Sequence, residues 1–334
     1  VKNRIRDRRT NQKLAQSYQR VSYESYYLFS ETFWHADQYL EVIDDISISD
    51  LKSFIPKLLS QMRIEMLSHG NLDINEAIKI GDLLEKKLIN PKTKASKKIT
   101  ERSMIFPVKP EYTYRIKTQD VNSAIQFVYQ PESSNIRQSV ALDLIQRVIE
   151  KPFYHQLRTV EQLGYIVWSG YQQVNRVDGF YFIIQSGVKD PVYLQERIEA
   201  FIDDFYKKLS SIPDEEFTKF KEALIKAKQE PPKTLGEETL RFWSEIASGR
   251  YEFERLQEEI KFAEQLTLDE IVKTYHDVFI NPESERKISI HGFGTTHKIV
   301  APKGTLIKDV KRFKADMPFY DNSPGKISER IYRN

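Results

Sequence analysis

A segment near the middle of the chain combines residue types that could act on a peptide bond. Residues 152–165 read Pro-Phe-Tyr-His-Gln-Leu-Arg-Thr-Val-Glu-Gln-Leu-Gly-Tyr. Arg158 carries a guanidinium that can bind a peptide carbonyl, and Tyr165 carries a phenol that can stabilise a developing oxyanion. Gly164 is predicted to end a helix and to turn the chain into the strand that Tyr165 begins. The two donors are therefore expected to converge at a helix-to-strand corner.

The same residues also have a purely structural interpretation. Arg158 and Glu161 lie three positions apart, which is the spacing of a salt bridge on one helical turn. Tyr165 would then be an ordinary aromatic residue of a strand. Taken alone, residue types and spacing favour this structural interpretation, and the catalytic one is the alternative.

Other catalytic and metal-binding patterns are absent from the sequence. The chain has no cysteine and six histidines, so a metal site would have to be built from histidine and carboxylate ligands. The histidines do not occur as H-x-x-H, H-E-x-x-H or H-x-x-E-H, and His291 and His297 are expected to be structural. The G-x-S-x-G, Walker and G-x-G-x-x-G patterns are also missing. No metal ligand and no complete catalytic apparatus are therefore predicted in this chain.

The composition excludes several classes of protein. The 334 residues are 40% hydrophobic and 12% aromatic, which is sufficient for sizeable cores. A net charge of +3 does not favour a nucleic-acid or anionic membrane partner. The basic first 20 residues are interpreted as a solvated helix, with a nucleic-acid-binding arm as the alternative. No apolar run is long enough to cross a bilayer, so no membrane span is predicted.

Helical periodicity dominates the first 110 residues. Helices are predicted from Tyr18 to Trp34, over 36–43, over 49–59 and over 73–88. Alternating polarity over residues 63–69 predicts a strand, and the basic stretch 90–100 is predicted to be a linker. The chain opens Val-Lys-Asn without a methionine, which indicates a piece of a longer protein.

Strands and helices alternate differently in the rest of the chain. Strands are predicted over 105–108, 112–116, 123–129, 165–172, 179–186 and 288–292. Helices are predicted over 135–150, 153–162, 192–209, 214–228, 235–248, 253–265 and 268–278. We place a domain boundary at the shift in composition, giving a partial helical domain, 1–110, and a complete domain, 111–334. The predicted class is α+β, with an antiparallel sheet and helices packed on one face.

Several motifs in this order resemble the insulysin (insulin-degrading enzyme) and pitrilysin family of inverted-motif zinc metallopeptidases. The strongest is Leu-Arg-Thr-Val-Glu-Gln-Leu-Gly-Tyr-Ile-Val at residues 157–167. The likeness extends from about Tyr26 across nearly the whole chain. Further matches are Leu-Lys-Ser-Phe-Ile-Pro at 51–56, His-Gly-Asn at 69–71, Phe-Ile-Ile-Gln-Ser at 182–186, Arg-Ile-Glu-Ala-Phe at 197–201 and Phe-Trp-Ser-Glu-Ile at 242–246.

This resemblance reverses the interpretation of Arg158 and Tyr165. It implies four homologous α+β domains in two halves that enclose a peptide chamber, with zinc and its ligands in the first domain. The present chain would be the later part of the third domain, 1–110, and all of the fourth, 111–334. Arg158 and Tyr165 then match residues that reach the substrate near the zinc and stabilise the tetrahedral intermediate. Tyr154 matches an aromatic residue of the prime-side pocket.

The resemblance therefore implies the C-terminal half of a zinc oligopeptidase, inactive alone because the H-x-x-E-H half is absent. Its expected partners are peptide substrates and the N-terminal half of the same protein, with a second copy of the chain, a homodimer, as a further candidate. Nucleic acid and membrane are not expected, and the expected compartment is the cytoplasm. The alternative is an inactive scaffold of the same fold that serves protein association, which intact Arg158 and Tyr165 disfavour.

Overall fold

The structure is a computed structural model that describes residues 1–89 and 92–325. The helices of these residues are α1 (Lys2–Lys13), α2 (Ser17–Phe29), α3 (Ala36–Val42), α4 (Ile48–Leu59), α5 (Ile74–Leu88), α6 (Ile136–Tyr154), α7 (Pro191–Leu209), α8 (Asp214–Gln229), α9 (Leu235–Ser248), α10 (Arg255–Gln265), α11 (Leu268–Phe279) and α12 (Val310–Ala315). The strands are β1 (Gln61–Met62), β2 (Lys94–Ala95), β3 (Tyr112–Lys117), β4 (Ser123–Gln130), β5 (Ile166–Val174), β6 (Val177–Ser186), β7 (Arg286–Phe293) and β8 (Thr305–Ile307). None of the helices in the described ranges is long and apolar enough to cross a membrane.

Helix α1 contacts the residues around α3 through its basic side chains. Lys13 forms an ion pair with Asp37 at 2.7 Å. The guanidinium of Arg9 lies 4.1 Å from the ring centroid of Tyr39, within the range of a cation–π interaction. No residue of α1, all of which the structure describes, is buried. The basic lead-in is thus a solvated helix that is held by polar contacts within the chain.

The segment from residue 46 to 89, here called the open segment, has well-formed helices without a core. Capping boxes begin both helices, with Ser47 and Asp50 at α4 and Asp73 and Glu76 at α5. Neither helix, each described along its full length, contains a buried residue. A cavity of about 900 Å³ lies between β1, the loop after it and α5. The exposed large apolar residues of the open segment are Ile46, Ile48, Leu51, Phe54, Ile55, Leu58, Leu59, Ile64, Met66, Leu72, Ile74, Ile78, Ile80, Leu83, Leu88 and Ile89.

The strand predicted over residues 63–69 is wrong. The pairing near it is limited to β1 and β2, two residues each in parallel register. Residues 63–69 form no strand, and Nδ1 of His69 lies 2.7 Å from Oγ1 of Thr239 on α9. Alternating polarity over seven residues does not supply the partner strand that a ladder needs. The strand predicted over residues 105–108 is also wrong, since the pairing beside it is limited to isolated bridges of Ser103 with Ser30 and of Met104 with Phe319.

A six-stranded sheet in the order β5-β6-β4-β7-β3-β8 organises the rest of the chain. The pairs β5/β6, β6/β4 and β4/β7 are antiparallel, whereas β3 pairs in parallel with both β7 and β8. All eight residues of β4 are buried, because elements cover both faces of the sheet at its centre. Asn175 and Arg176 connect β5 to β6 with φ angles of 49° and 66°, as a tight hairpin with right-handed strand twist requires.

Each face of the sheet has its own hydrophobic core. On one face, α6, α7 and α11 bury aromatic residues of β4 and β6, and Phe182 is fully buried at the centre. On the other face, α2 places Val21 and Leu28 against Ile288 and Ile290 of β7. Helix α2 therefore shares a core with the sheet across the predicted domain boundary at residue 110, and that boundary stays a prediction.

The predicted α+β class is confirmed, and two details of the arrangement differ from the prediction. The sheet is mixed rather than wholly antiparallel, because β3 and β7, which are far apart in the sequence, lie side by side in the same direction. Helix α2 lies on the face predicted to be free of helices. Neither feature leaves a local sequence signal, since both depend on contacts between distant segments.

Candidate functional site

The helix-to-strand corner between α6 and β5, residues 155–165, begins with an uncommon helical turn. Helix α6 continues directly into a π-helical turn, His155–Val160. Gln162 then adopts a left-handed conformation with φ 55°, and the amide of Leu163 donates to the carbonyl of Leu157 at 3.0 Å. Leu157 and Leu163 are both buried beneath the corner. Because π-helical turns are rare and concentrate at functional sites, this turn marks the corner as the candidate site.

Gly164 determines how closely the corner approaches the sheet. A Cβ atom at this position would lie 1.8 Å from the carbonyl oxygen of Gln185 on β6. The left-handed residue that ends the helical segment is Gln162, not Gly164, which corrects the predicted role of the glycine. Gly164 is required for space rather than for backbone freedom, and it lets the chain enter β5 directly against β6.

Arg158 and Tyr165 are brought together at this corner. The guanidinium carbon of Arg158 lies 5.8 Å from the ring centroid of Tyr165, within the range of a cation–π interaction. Tyr165 is 81% exposed. The Nε atom of Arg158 is buried and has no hydrogen-bond partner among the described residues. Neither side chain has an acidic partner in those residues, so the pair offers uncommitted N–H and O–H donors.

The structural interpretation that paired Arg158 with Glu161 is wrong. Glu161 accepts two hydrogen bonds of 2.8 Å from Arg197 on α7, in a bidentate arrangement. Gln156 donates to the same carboxylate at 3.0 Å. The Arg197 guanidinium holds the pKa of Glu161 below its ordinary value. Glu161 therefore links the corner to α7 through Arg197, and it does not neutralise the charge of Arg158.

Tyr154 is the last residue of α6 and lies one turn before Arg158. Its side chain is 46% exposed, whereas its neighbour Phe153 is fully buried in the core. The aromatic ring predicted to contact substrate thus lies at the surface, on the helix that leads into the corner.

The sequence-based prediction missed a further exposed aromatic residue beside the corner. Trp168 is 45% exposed, although Val167 and Ser169, its neighbours in β5, are 1% and 6% exposed. A tryptophan inside the strand predicted over residues 165–172 was the available signal. Its exposure could not be seen in the sequence, because it depends on what covers that face of the sheet.

The histidines do not assemble into a metal site. His291 is fully buried with Nε2 2.9 Å from Oε1 of Gln195, and burial lowers its pKa to about 3. Nδ1 of His297 lies 2.9 Å from Oγ of Ser123. Within residues 1–89 and 92–325, no group of three or more His, Cys, Asp or Glu side chains is placed to hold a metal ion. The donors in this part of the chain therefore do not fit zinc.

The chain is similar in sequence to several known proteins. The family described as PQQ synthase PqqF-like, C-terminal lobe domain 4, matches residues 144–243, a range that contains the corner. Insulin-degrading enzyme of Homo sapiens is 34% identical over 287 residues, which cover 84% of this chain and 28% of that protein. A putative zinc protease of Schizosaccharomyces pombe is 30% identical over 326 residues, which cover 95% of this chain and 33% of that protein.

The fold is also similar to that of a solved structure. The crystal structure of pitrilysin superposes with a TM-score of 0.84 at 22% identity, covering 96% of this chain and 34% of that chain. The present chain therefore spans about a third or less of the length of the relatives that it matches.

Proposed function

The chain is homologous to the C-terminal part of insulin-degrading enzyme and its relatives, as the motifs predict, and we propose that it is the substrate-enclosing half of a zinc oligopeptidase. The observation that carries this proposal is the corner, where Arg158 and Tyr165 present uncommitted donors on a π-helical turn. The described residues supply no donor set for zinc, so the metal would be held by another part of the protein. The proposed reaction is hydrolysis of internal bonds in short peptides.

Arg158 and Tyr165 would bind the oxygen of the scissile peptide bond. The guanidinium positions the peptide through its carbonyl, and the phenol donates to the oxygen as negative charge develops on it. A donor that strengthens in this way typically contributes about 2.7–4 kcal/mol to catalysis. The contribution depends on fixed geometry, which Gly164 and the pairing of Glu161 with Arg197 provide.

Tyr154 would bind a substrate side chain on the leaving-group side of the cleaved bond. Its ring is half exposed at the end of α6, and the buried Phe153 anchors the helix immediately beside it. An aromatic ring on a rigid helix end suits an apolar side chain of an extended peptide.

The open segment supports the proposed division into a partial domain, 1–110, and a complete one, 111–334. Its sixteen exposed large apolar residues form a surface of the kind that is normally covered in a finished domain. The proposed cover is the N-terminal part of the same protein, which would complete the third domain and close the peptide chamber.

The test is Tyr165→Phe in the full-length protein, assayed with an internally quenched peptide. We expect kcat to fall about 100-fold with little change in KM, because the lost hydrogen bond strengthens only in the transition state. Tyr39→Phe, at a phenol far from the corner in sequence and packed beside Arg9, is the matched control and should leave kcat unchanged. Unchanged turnover in Tyr165→Phe would remove the proposed catalytic role. A full-length protein that binds no zinc and cleaves no peptide would favour the scaffold alternative.

A further inference from the structure

The face of β5 that α2 covers carries exposed aromatic residues that the proposed mechanism does not use. Trp168 is 45% exposed and Tyr26 is 46% exposed. Trp168 lies on β5, an edge strand of the sheet, and Tyr26 lies on α2, which packs against the sheet. We call this surface the aromatic patch, and its members are Tyr18, Tyr26, Trp168 and Tyr181.

Two packing features hold the half-exposed ring of Trp168 in place. Trp168 pairs with Ile183 across the hairpin, and the ring of Tyr18 meets it edge-on, with ring centroids 5.4 Å apart and an interplanar angle of 86°. At Gly170, the next residue on the same face, a Cβ atom would lie 2.8 Å from the hydroxyl of Tyr181. The missing side chain lets the Tyr181 ring lie over the strand beside Trp168.

The aromatic patch is fixed in position relative to the catalytic corner. The amide of Tyr18 donates to Oε1 of Gln185 at 2.9 Å, and the carbonyl of Gln185 lies directly against Gly164. The amide of Ser17 also donates to Asp120 at 2.9 Å, which anchors the start of α2. One residue of β6 thus contacts both the corner and the patch, so the two surfaces are held as a unit.

The chemistry of the patch suits an apolar group with polar backbone on either side. The hydroxyls of Tyr18, Tyr26 and Tyr181 have no hydrogen-bond partner among the described residues. Burial raises the pKa of Tyr181, so its hydroxyl remains a neutral donor at physiological pH. Aromatic faces with free phenolic O–H groups bind apolar side chains while satisfying nearby peptide groups.

We propose that the aromatic patch is a subsite for an apolar side chain of the peptide substrate and that Trp168 determines specificity there. This proposal rests on the proposed peptidase function. Helix α6, which ends at Tyr154, packs on the opposite face of the sheet, and Tyr165 immediately precedes β5, three residues before Trp168. Three residues of extended chain span about 10 Å, so a peptide bound at Tyr165 would need to extend only a few residues to reach the aromatic patch.

The experiment compares substrate preference in the full-length protein. Two sets of internally quenched peptides carry Leu or Asp at successive positions around the cleaved bond, and kcat/KM is measured for each. Trp168→Ala is expected to lower the Leu-to-Asp ratio about tenfold at one position, through KM rather than kcat, because one apolar contact is lost. Trp34→Ala, at a tryptophan that is 64% exposed outside the patch, is the control and should leave every ratio unchanged.

The outcomes separate this proposal from the proposed function. A Leu-to-Asp ratio unchanged at every position in Trp168→Ala overturns the subsite, whatever Tyr165→Phe does. A ratio lowered at one position supports the subsite even if Tyr165→Phe proves silent, which would remove only the oxyanion role. Trp168→Leu, which keeps an apolar side chain in the strand, should give a smaller shift at the same position and serves if the alanine variant does not fold.

Discussion

The six-stranded sheet with the helices packed on it, here called the sheet region, follows the same local rules of helix formation as the open segment. The two regions differ in whether the apolar side of each helix is buried. Helices α4 and α5 begin with capping boxes, as α11 does, while Asp190 caps the start of α7, and all four helices carry an apolar stripe. Helices α7 and α11 bury eight and four residues, whereas α4 and α5 bury none. Local sequence therefore determines that a helix forms, and only a distant surface determines whether its apolar side is covered.

The largest expected difference between the two regions is the cost of truncating a phenylalanine. Phe182→Ala should lower the free energy of unfolding by about 3–5 kcal/mol, because its ring is fully buried among Tyr129, Phe153, Phe180 and Phe279. Phe54→Ala, at a ring that is 54% exposed, should cost less than about 0.5 kcal/mol. Urea denaturation of the isolated chain measures both.

An equal loss of unfolding free energy in the two phenylalanine variants would contradict the difference between the two regions. That result would mean that the open segment is already covered in solution, and a second copy of the chain is the cover to examine. Dependence of the Phe54→Ala effect on protein concentration would then identify a homodimer.

A second pair of variants compares two glycines. Gly164→Ala should lower the free energy of unfolding by about 2–3 kcal/mol, because the new Cβ atom would overlap the carbonyl of Gln185 and force the corner away from β6. Gly81→Ala in α5 should instead raise it by about 0.5–1 kcal/mol, since the nearest atom is the Met66 methyl at 3.6 Å and alanine favours a helix. Thermal denaturation followed by circular dichroism gives both signs.

Destabilisation by Gly81→Ala would show that the interior of α5 is tightly packed, contrary to the comparison. A Gly164→Ala variant as stable as the parent chain would show that the corner can move away from the sheet. The corner would then belong with the open segment rather than with the packed region.

The smallest expected effect concerns the ion pair that fastens the corner to α7. The pKa of Glu161 is lowered by Arg197, so the pair stabilises the fold above the ordinary pKa of glutamate, near 4.5, and this contribution disappears as the pH falls through the lowered value. Arg197→Gln should therefore be less stable than the parent chain at pH 7, and the difference should shrink below about pH 4.5. Denaturation midpoints measured from pH 3 to pH 7 test this.

Lys219→Gln is the control for the pH series. Lys219 pairs with Glu215 on α8, and both side chains are largely exposed, so its removal should change the midpoint little at any pH. A constant difference between Arg197→Gln and the parent chain across the series would mean that Arg197 acts through packing instead of through the charge of Glu161.

Local patterns were sufficient to predict most elements of the sheet region. The periodicity over residues 192–209 and 235–248 predicted α7 and α9 closely, because capping residues and prolines mark their ends. The corner was also located correctly, since a glycine and an aromatic residue after a helical run are local signals. The motif resemblance to the peptidase family, carried by the same corner, is confirmed by homology.

Two of the features that sequence could not predict join distant residues. Glu161 has a cation three positions away and a better partner in Arg197, and only the fold makes the second one available. The contact of Tyr18 with Trp168 joins residues from either side of the predicted domain boundary. The π-helical turn was missed for a different reason, because its residues have ordinary helical propensity and carry no local signal for a widened turn, while Leu157 and Leu163 are buried in the core at this corner.

The π-helical turn makes chain length part of the geometry of the corner. A π turn accommodates one residue more than the α-helical path it replaces, so the corner contains a surplus residue. Loss of any one residue from 155–160 would let the turn relax to an α-helix and rotate everything after it by about 100° around the helix axis. Arg158 and Tyr165 could both be retained in such a protein and still not face the same point. Among relatives, the count of residues between α6 and β5 is therefore as informative about the proposed role of the corner as the identity of the arginine and the tyrosine.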